Sequence, residues 1–137
     1  MARRYRAHLR TVVAASAAPY GYTLTIWTSG AVVTHARGIP NALDALLFLT
    51  GAVLGFAIVG AAAHGSPAQV LRAPHDSSVR LWGGFHLPSV GLAIGGAALV
   101  AATVDGAFTW PLVGFIATSV YLIVIAAQFA IAESREP

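Results

Sequence analysis

The sequence predicts an all-α membrane protein with four transmembrane helices, and three observations support this fold class. Hydrophobic residues make up 57% of the 137 residues and charged residues only 9%, whereas soluble domains contain roughly 25% charged residues. The apolar residues are concentrated in four long runs, and turn-forming residues separate these runs. Each run provides the roughly 20 helical residues that cross a bilayer core of about 30 Å. We therefore expect a single domain, residues 1–137, that is solvated mainly by lipid.

The four predicted spans cover residues 11–34, 42–63, 85–104 and 110–132. The first connection contains Gly38 and Pro40, and the third is a tight turn built on Asp105 and Gly106. Such short connections join antiparallel neighbours, so the sequence predicts two antiparallel hairpins, linked by a longer loop at residues 64–82. Pro19 lies inside the first span, two residues before a glycine, and predicts a bend or local unwinding there.

The distribution of arginine predicts the orientation of these spans. All eight basic residues are arginine, and seven of them lie in the N-terminal tail, the 64–82 loop or the C-terminal tail. Only Arg37 lies on the opposite side. The positive-inside rule then places both termini and the 64–82 loop in the cytoplasm, as in a multi-pass protein of the cell membrane.

The charge pattern and the cysteine count also restrict the partners. Four arginines within the first ten residues directly precede an apolar run, which is typical of a juxtamembrane segment that contacts anionic lipid. We therefore expect the lipid bilayer as a partner and no nucleic acid. The chain has no cysteine, which excludes disulfides, thiolate metal sites and cysteine nucleophiles.

Two GxxxG patterns predict close helix packing. Gly51 and Gly55 form the first pattern in the second span, and Gly91 and Gly95 form the second in the third span. Association of helices in lipid depends on close backbone approach through small residues. The two patterns are expected to pack helices within one four-helix bundle, or to form the contact between copies in an oligomer.

Polar and aromatic residues follow two neighbouring faces of the first span at spacings of three and four. The first face carries Tyr20, Thr23 and Trp27, and the second carries Tyr22, Thr25 and Ser29. Polar groups in such stripes turn away from hydrocarbon. They are expected either to form hydrogen bonds in helix contacts or to line a polar pathway.

Asp44 is the acidic residue nearest the interior of a span. It follows Asn41 by three residues, so we expect Asn41 to cap the second helix and Asp44 to lie in its first turn, where the helix dipole favours a negative charge. The alternative is an entry point for a cation or proton at an outer mouth formed with His35 and Asp105.

Three histidines and one aspartate lie in or beside the predicted cytoplasmic loop: His64, His75, Asp76 and His86. Imidazole and carboxylate groups are ligands for Zn²⁺ and similar ions, yet this spacing matches no recurrent metal motif. Facing His64 and His86 are also weak candidates for haem ligands. We predict no metal site and no cofactor.

No paired carboxylates, nucleophile–base arrangement or phosphate-binding loop occur in the sequence, so an enzyme is not expected. The first functional hypothesis is a subunit of an oligomeric channel or small-solute transporter, with the polar faces of the first span lining the route. The alternative is a non-catalytic accessory or structural subunit that packs against a larger membrane complex. Ion and proton pathways usually carry a charged residue deep in a span, and this chain has none there.

Overall fold

The computed structural model describes residues 2–64 and 87–134, and this part of the chain is all-helical. Four helices are present there: α1 (Ala2–Arg37), α2 (Ala42–His64), α3 (Leu87–Thr103) and α4 (Thr109–Glu133). The prediction of four helices is thus confirmed, and the bounds of α2, α3 and α4 lie within two residues of the predicted spans. α1 begins at Ala2 rather than at residue 11, so it includes the arginine-rich tail.

α1 continues as an α-helix through Pro19 and Gly21. Local unwinding, one of the two predicted outcomes, is therefore wrong, and a bend at Pro19 stays a prediction. Proline removes one backbone donor, and a helix in a packed bundle can lose that single hydrogen bond and still continue.

The ends of α1 and α2 follow from local chemistry. Gly38 ends α1 in the left-handed conformation, with φ of 89°, and its N–H donates to the carbonyl oxygen of Thr34 at 2.8 Å. At the start of α2, the Asp44 N–H donates to Asn41 Oδ1 at 2.9 Å, and the Asn41 N–H donates to Asp44 Oδ2 at 3.1 Å. This reciprocal pair is a capping box, so the predicted cap is confirmed.

α4 is the central helix of the described bundle. It packs against α1, α2 and α3, and α1 also packs against α3. The α3–α4 pair packs as the second predicted hairpin. The first predicted hairpin is wrong as a packing unit, because α1 and α2 do not pack against each other along their lengths. Each of them contacts α4 instead.

Two of the four helices are long and apolar enough to cross a membrane, over Ala42–Ala62 in α2 and Thr109–Gln128 in α4. α3 is also apolar, and its 17 residues fall just short of the length that the other two reach. Only 17% of the Ala42–Ala62 stretch is buried in the bundle. α2 is therefore unlike the core helix of a soluble protein, which would be mostly covered by its neighbours.

Candidate functional site

The two polar faces of α1 point in different directions. Thr25 and Ser29 are 0% exposed, and they face the packed interior between α3 and α4. Tyr20 is 64% exposed and Trp27 is 76% exposed, so their face points away from the bundle. The sequence placed the two faces side by side, and the structure gives them separate environments.

The buried face forms what we call the hydroxyl seam, made of Tyr22, Thr25, Ser29 and Thr118. The Tyr22 hydroxyl lies 3.2 Å from Thr118 Oγ1 of α4. The Tyr22 ring also packs on Tyr121, with ring centroids 5.8 Å apart and a tilt of 53°. The hydroxyl seam therefore joins α1 to α4 through both a hydrogen bond and an aromatic contact.

Within the hydroxyl seam, Thr25 has a partner on its own helix. Its hydroxyl donates to the carbonyl oxygen of Gly21 at 2.9 Å, a common arrangement for threonine in apolar surroundings. The buried Ser29 hydroxyl has no hydrogen-bond partner among the described residues. Because Thr25 and Ser29 are fully buried, this side of α1 is closed by packing.

The outward face of α1 borders a groove between α1 and α2. The groove has a volume of about 790 Å³. Its walls include Trp27, Gly30 and Thr34 from α1 and Phe48 from α2, and Trp110 of α4 also lines it. The groove exists because α1 and α2 both pack on α4 without packing on each other.

The first GxxxG pattern lies at the contact between α2 and α4. A Cβ atom added at Gly51 would lie 1.9 Å from the carbonyl oxygen of Pro111, and one added at Gly55 would lie 2.9 Å from that of Phe115. Gly114 of α4 is equally close, because a Cβ atom there would lie 2.1 Å from the carbonyl oxygen of Phe48. These three glycines let the two backbones touch, which fixes α2 against α4 rather than against α1.

The second GxxxG pattern lies elsewhere. Cβ atoms added at Gly91 or Gly95 would meet no described atom within 4 Å, and both glycines are exposed. The face of α3 that packs in the bundle carries Ser89, Ala93, Ala97 and Ala101 instead. Packing within the bundle thus involves the first GxxxG pattern and not the second.

Arg37 makes a contact that the sequence did not predict. Its guanidinium donates to Asp105 Oδ1 at 2.6 Å and to the carbonyl oxygen of Ala101 at 2.9 Å, and it also donates to the carbonyl oxygen of Val104. A cation at these carbonyls stabilises the C-terminal end of α3. The only signal in the sequence was the presence of one arginine on the side that otherwise lacks basic residues.

The predicted outer-mouth residues have separate environments. Asp44 belongs to the capping box, Asp105 pairs with Arg37, and His35 lines the groove. No three histidine, aspartate or glutamate side chains in residues 2–64 and 87–134 are placed to hold a metal ion. Of the low-probability metal ligands, His75, Asp76 and His86 lie outside the described residues, and His64 is the last residue of α2.

No family model matches this sequence, and the comparisons with curated proteins and with solved structures found no similar chain. Inference about function therefore depends on the chain's own geometry. The described part defines a helical bundle with two apolar helices of membrane-spanning length, a closed hydroxyl seam and an open apolar groove.

Proposed function

We propose that the chain is a four-span protein of the cell membrane, with both termini in the cytoplasm, that serves as a non-catalytic accessory subunit of a membrane complex. The observation that carries this proposal is the hydroxyl seam. Its α1 hydroxyl-bearing side chains are packed against α3 and α4, with Thr25 and Ser29 at 0% exposure. Because this face of α1 is buried by packing inside the bundle, it supports a structural role better than a transport role.

The contact between Arg37 and Asp105 supports the four-span arrangement. It ties the end of α1 to the turn between α3 and α4, so residues 38–41 and 104–108 lie at the same end of the bundle. If α2 and α4 cross the bilayer, α1 and α3 must return alongside them to reach that end. The other seven arginines lie in the first ten residues, between α2 and α3 or after α4 in the sequence, and the positive-inside rule assigns these segments to the cytoplasm.

The outward surfaces support association with other membrane helices. Gly91 and Gly95 lie on the exposed side of α3, where side chains of a partner helix would meet no obstruction. In lipid, small residues on such a face favour close approach of a second helix. For an accessory subunit, the partner is a different membrane protein.

A channel or small-solute transporter built from several copies is the second candidate. The exposed face with Tyr20, Thr23 and Trp27 favours it, because several copies could turn these residues toward a common route. The two candidate functions predict different solute flux through liposomes that contain the purified protein.

Flux measurements in liposomes test the choice between them. For an accessory subunit, liposomes that contain the chain should pass monovalent ions, protons and small neutral solutes no faster than empty liposomes. Native mass spectrometry of the chain extracted from its own membranes should then show a mass that is not a multiple of 14.1 kDa. Flux above that of empty liposomes, combined with an integer multiple of 14.1 kDa, would favour the channel instead.

A further inference from the structure

The groove between α1 and α2 has the composition of a ligand site. Its volume of about 790 Å³ falls within the range of roughly 300–1,000 Å³ found for small-molecule sites. Three aromatic side chains line it, from Trp27, Phe48 and Trp110. Gly30 and Ala45 leave room between these rings, and a Cβ atom added at Gly30 would meet no described atom within 4 Å.

The polar groups of the groove are gathered at one end. On α1 the lining runs from Ile26 to His35, a distance of about 14 Å along the helix. Thr34 and His35 lie at the end next to the α1–α2 connection, and the rest of the lining is almost entirely apolar. An occupant that matches this gradient has a hydrocarbon part along the groove and a hydrogen-bonding head at Thr34 and His35.

The dimensions of the groove favour an acyl chain over a helix. One leaflet of a bilayer core is about 15 Å thick, which matches the α1 part of the lining. A partner helix would need a surface that extends along the full bilayer core of about 30 Å. The lining on α1 covers only about half of that length.

We propose that the α1–α2 groove binds one acyl chain of a membrane phospholipid from the outer leaflet, with its headgroup beside Thr34 and His35. The chain would pack on Trp110, which is only 6% exposed and lies at the groove. The imidazole of His35 and the hydroxyl of Thr34 would donate hydrogen bonds to phosphate oxygens. This inference rests on the membrane location proposed above.

Quenching of tryptophan fluorescence by brominated phospholipids tests the proposal, because bromine quenches tryptophan only near contact. The chain has three tryptophans, and Trp82 is replaced by phenylalanine in every sample. With Trp27→Phe added, Trp110 alone reports on the groove. With Trp110→Phe added instead, the exposed Trp27 reports whether the bundle is embedded in lipid at all.

Gly30→Leu fills the groove, and Gly95→Leu is its matched control, since both positions offer open space to a side chain. In liposomes whose lipids carry bromine near the glycerol, Trp110 should be quenched in the parent and in Gly95→Leu, and should lose most of this quenching in Gly30→Leu. Ala31→Leu, at another lining position, repeats the test if Gly30→Leu fails to fold by circular dichroism.

The outcomes separate the two proposals. Quenching of Trp27 without quenching of Trp110 would overturn the acyl-chain site and leave the membrane location standing. Equal quenching of Trp110 in the parent and in both filled variants would also overturn the site, because bulk lipid would then explain it. If neither tryptophan is quenched at any bromine depth, the membrane location fails as well.

Discussion

Glycines with the same sequence pattern have opposite surroundings in this bundle. Gly51 lies against the backbone of Pro111, and Gly95 faces open space. Glycine in a helix costs stability through backbone entropy, and close packing against another backbone offsets that cost. At Gly51 the close approach of the α4 backbone offsets the entropic cost. Gly95 has no such backbone contact within the described bundle.

Alanine substitutions at these two glycines should therefore have opposite signs. Gly51→Ala places a methyl group where the Pro111 carbonyl oxygen lies, and we expect a loss of about 1–3 kcal/mol in the free energy of unfolding. Gly95→Ala should be neutral or stabilise by about 0.5–1 kcal/mol, because alanine restricts the unfolded chain and favours helix. Unfolding of each variant in detergent by a denaturing surfactant measures both values. Equal effects at the two positions would contradict the α2–α4 contact.

At the scale of the element, α1 owes its place in the bundle to its hydroxyl seam. Its overall composition is more polar than that of the other three helices. One polar face of α1 contacts α4 through Tyr22 and Thr118, and α2 packs on α4 separately from α1. Without Tyr22 and Thr25, the packing of this face of α1 against α3 and α4 would be less favourable.

The comparison of Tyr22→Phe with Tyr20→Phe tests this account of α1. Tyr22→Phe removes the hydroxyl that lies 3.2 Å from Thr118 Oγ1, and we expect a loss of about 0.6 kcal/mol, the average for hydrogen bonds between membrane helices. Tyr20→Phe removes an outward hydroxyl and should leave the stability unchanged. Thermal unfolding in mild detergent, followed by circular dichroism, distinguishes the two. A larger loss for Tyr20→Phe would place the wrong face of α1 in the interior.

At the scale of the whole molecule, the ends of the helices form two groups. The Arg37–Asp105 ion pair joins α1 to the α3–α4 connection at the end that contains the two short connections. The other seven arginines lie in sequence segments outside those connections. This asymmetry is the basis of the proposed orientation. Arg37 is the exception to this distribution, and it caps α3 and pairs with Asp105.

The absence of cysteine allows the orientation to be measured with single-cysteine variants. Ile39→Cys lies in the exposed first connection, Ala107→Cys lies in the third, and Ser134→Cys lies just after α4. In intact cells, a membrane-impermeant maleimide should label the first two and not the third, because the positive-inside rule keeps the arginine-rich end in the cytoplasm. Permeabilised cells provide the control in which all three react. Labelling of Ser134→Cys in intact cells would reverse the orientation.

Composition and local pattern were sufficient to predict the helices, their approximate bounds and the cap at Asn41 and Asp44, because these depend on residues close together in the chain. The same signals could not decide which helices pack together. Both GxxxG patterns have the same local form, yet only Gly51 and Gly55 meet another backbone, and the short first connection did not make α1 and α2 pack on each other. Those outcomes depend on contacts between residues distant in the sequence: the hydroxyl face of α1 meets one set of α4 residues, and the glycine face of α2 meets another. The groove and the Arg37 cap likewise join residues that are distant in the sequence.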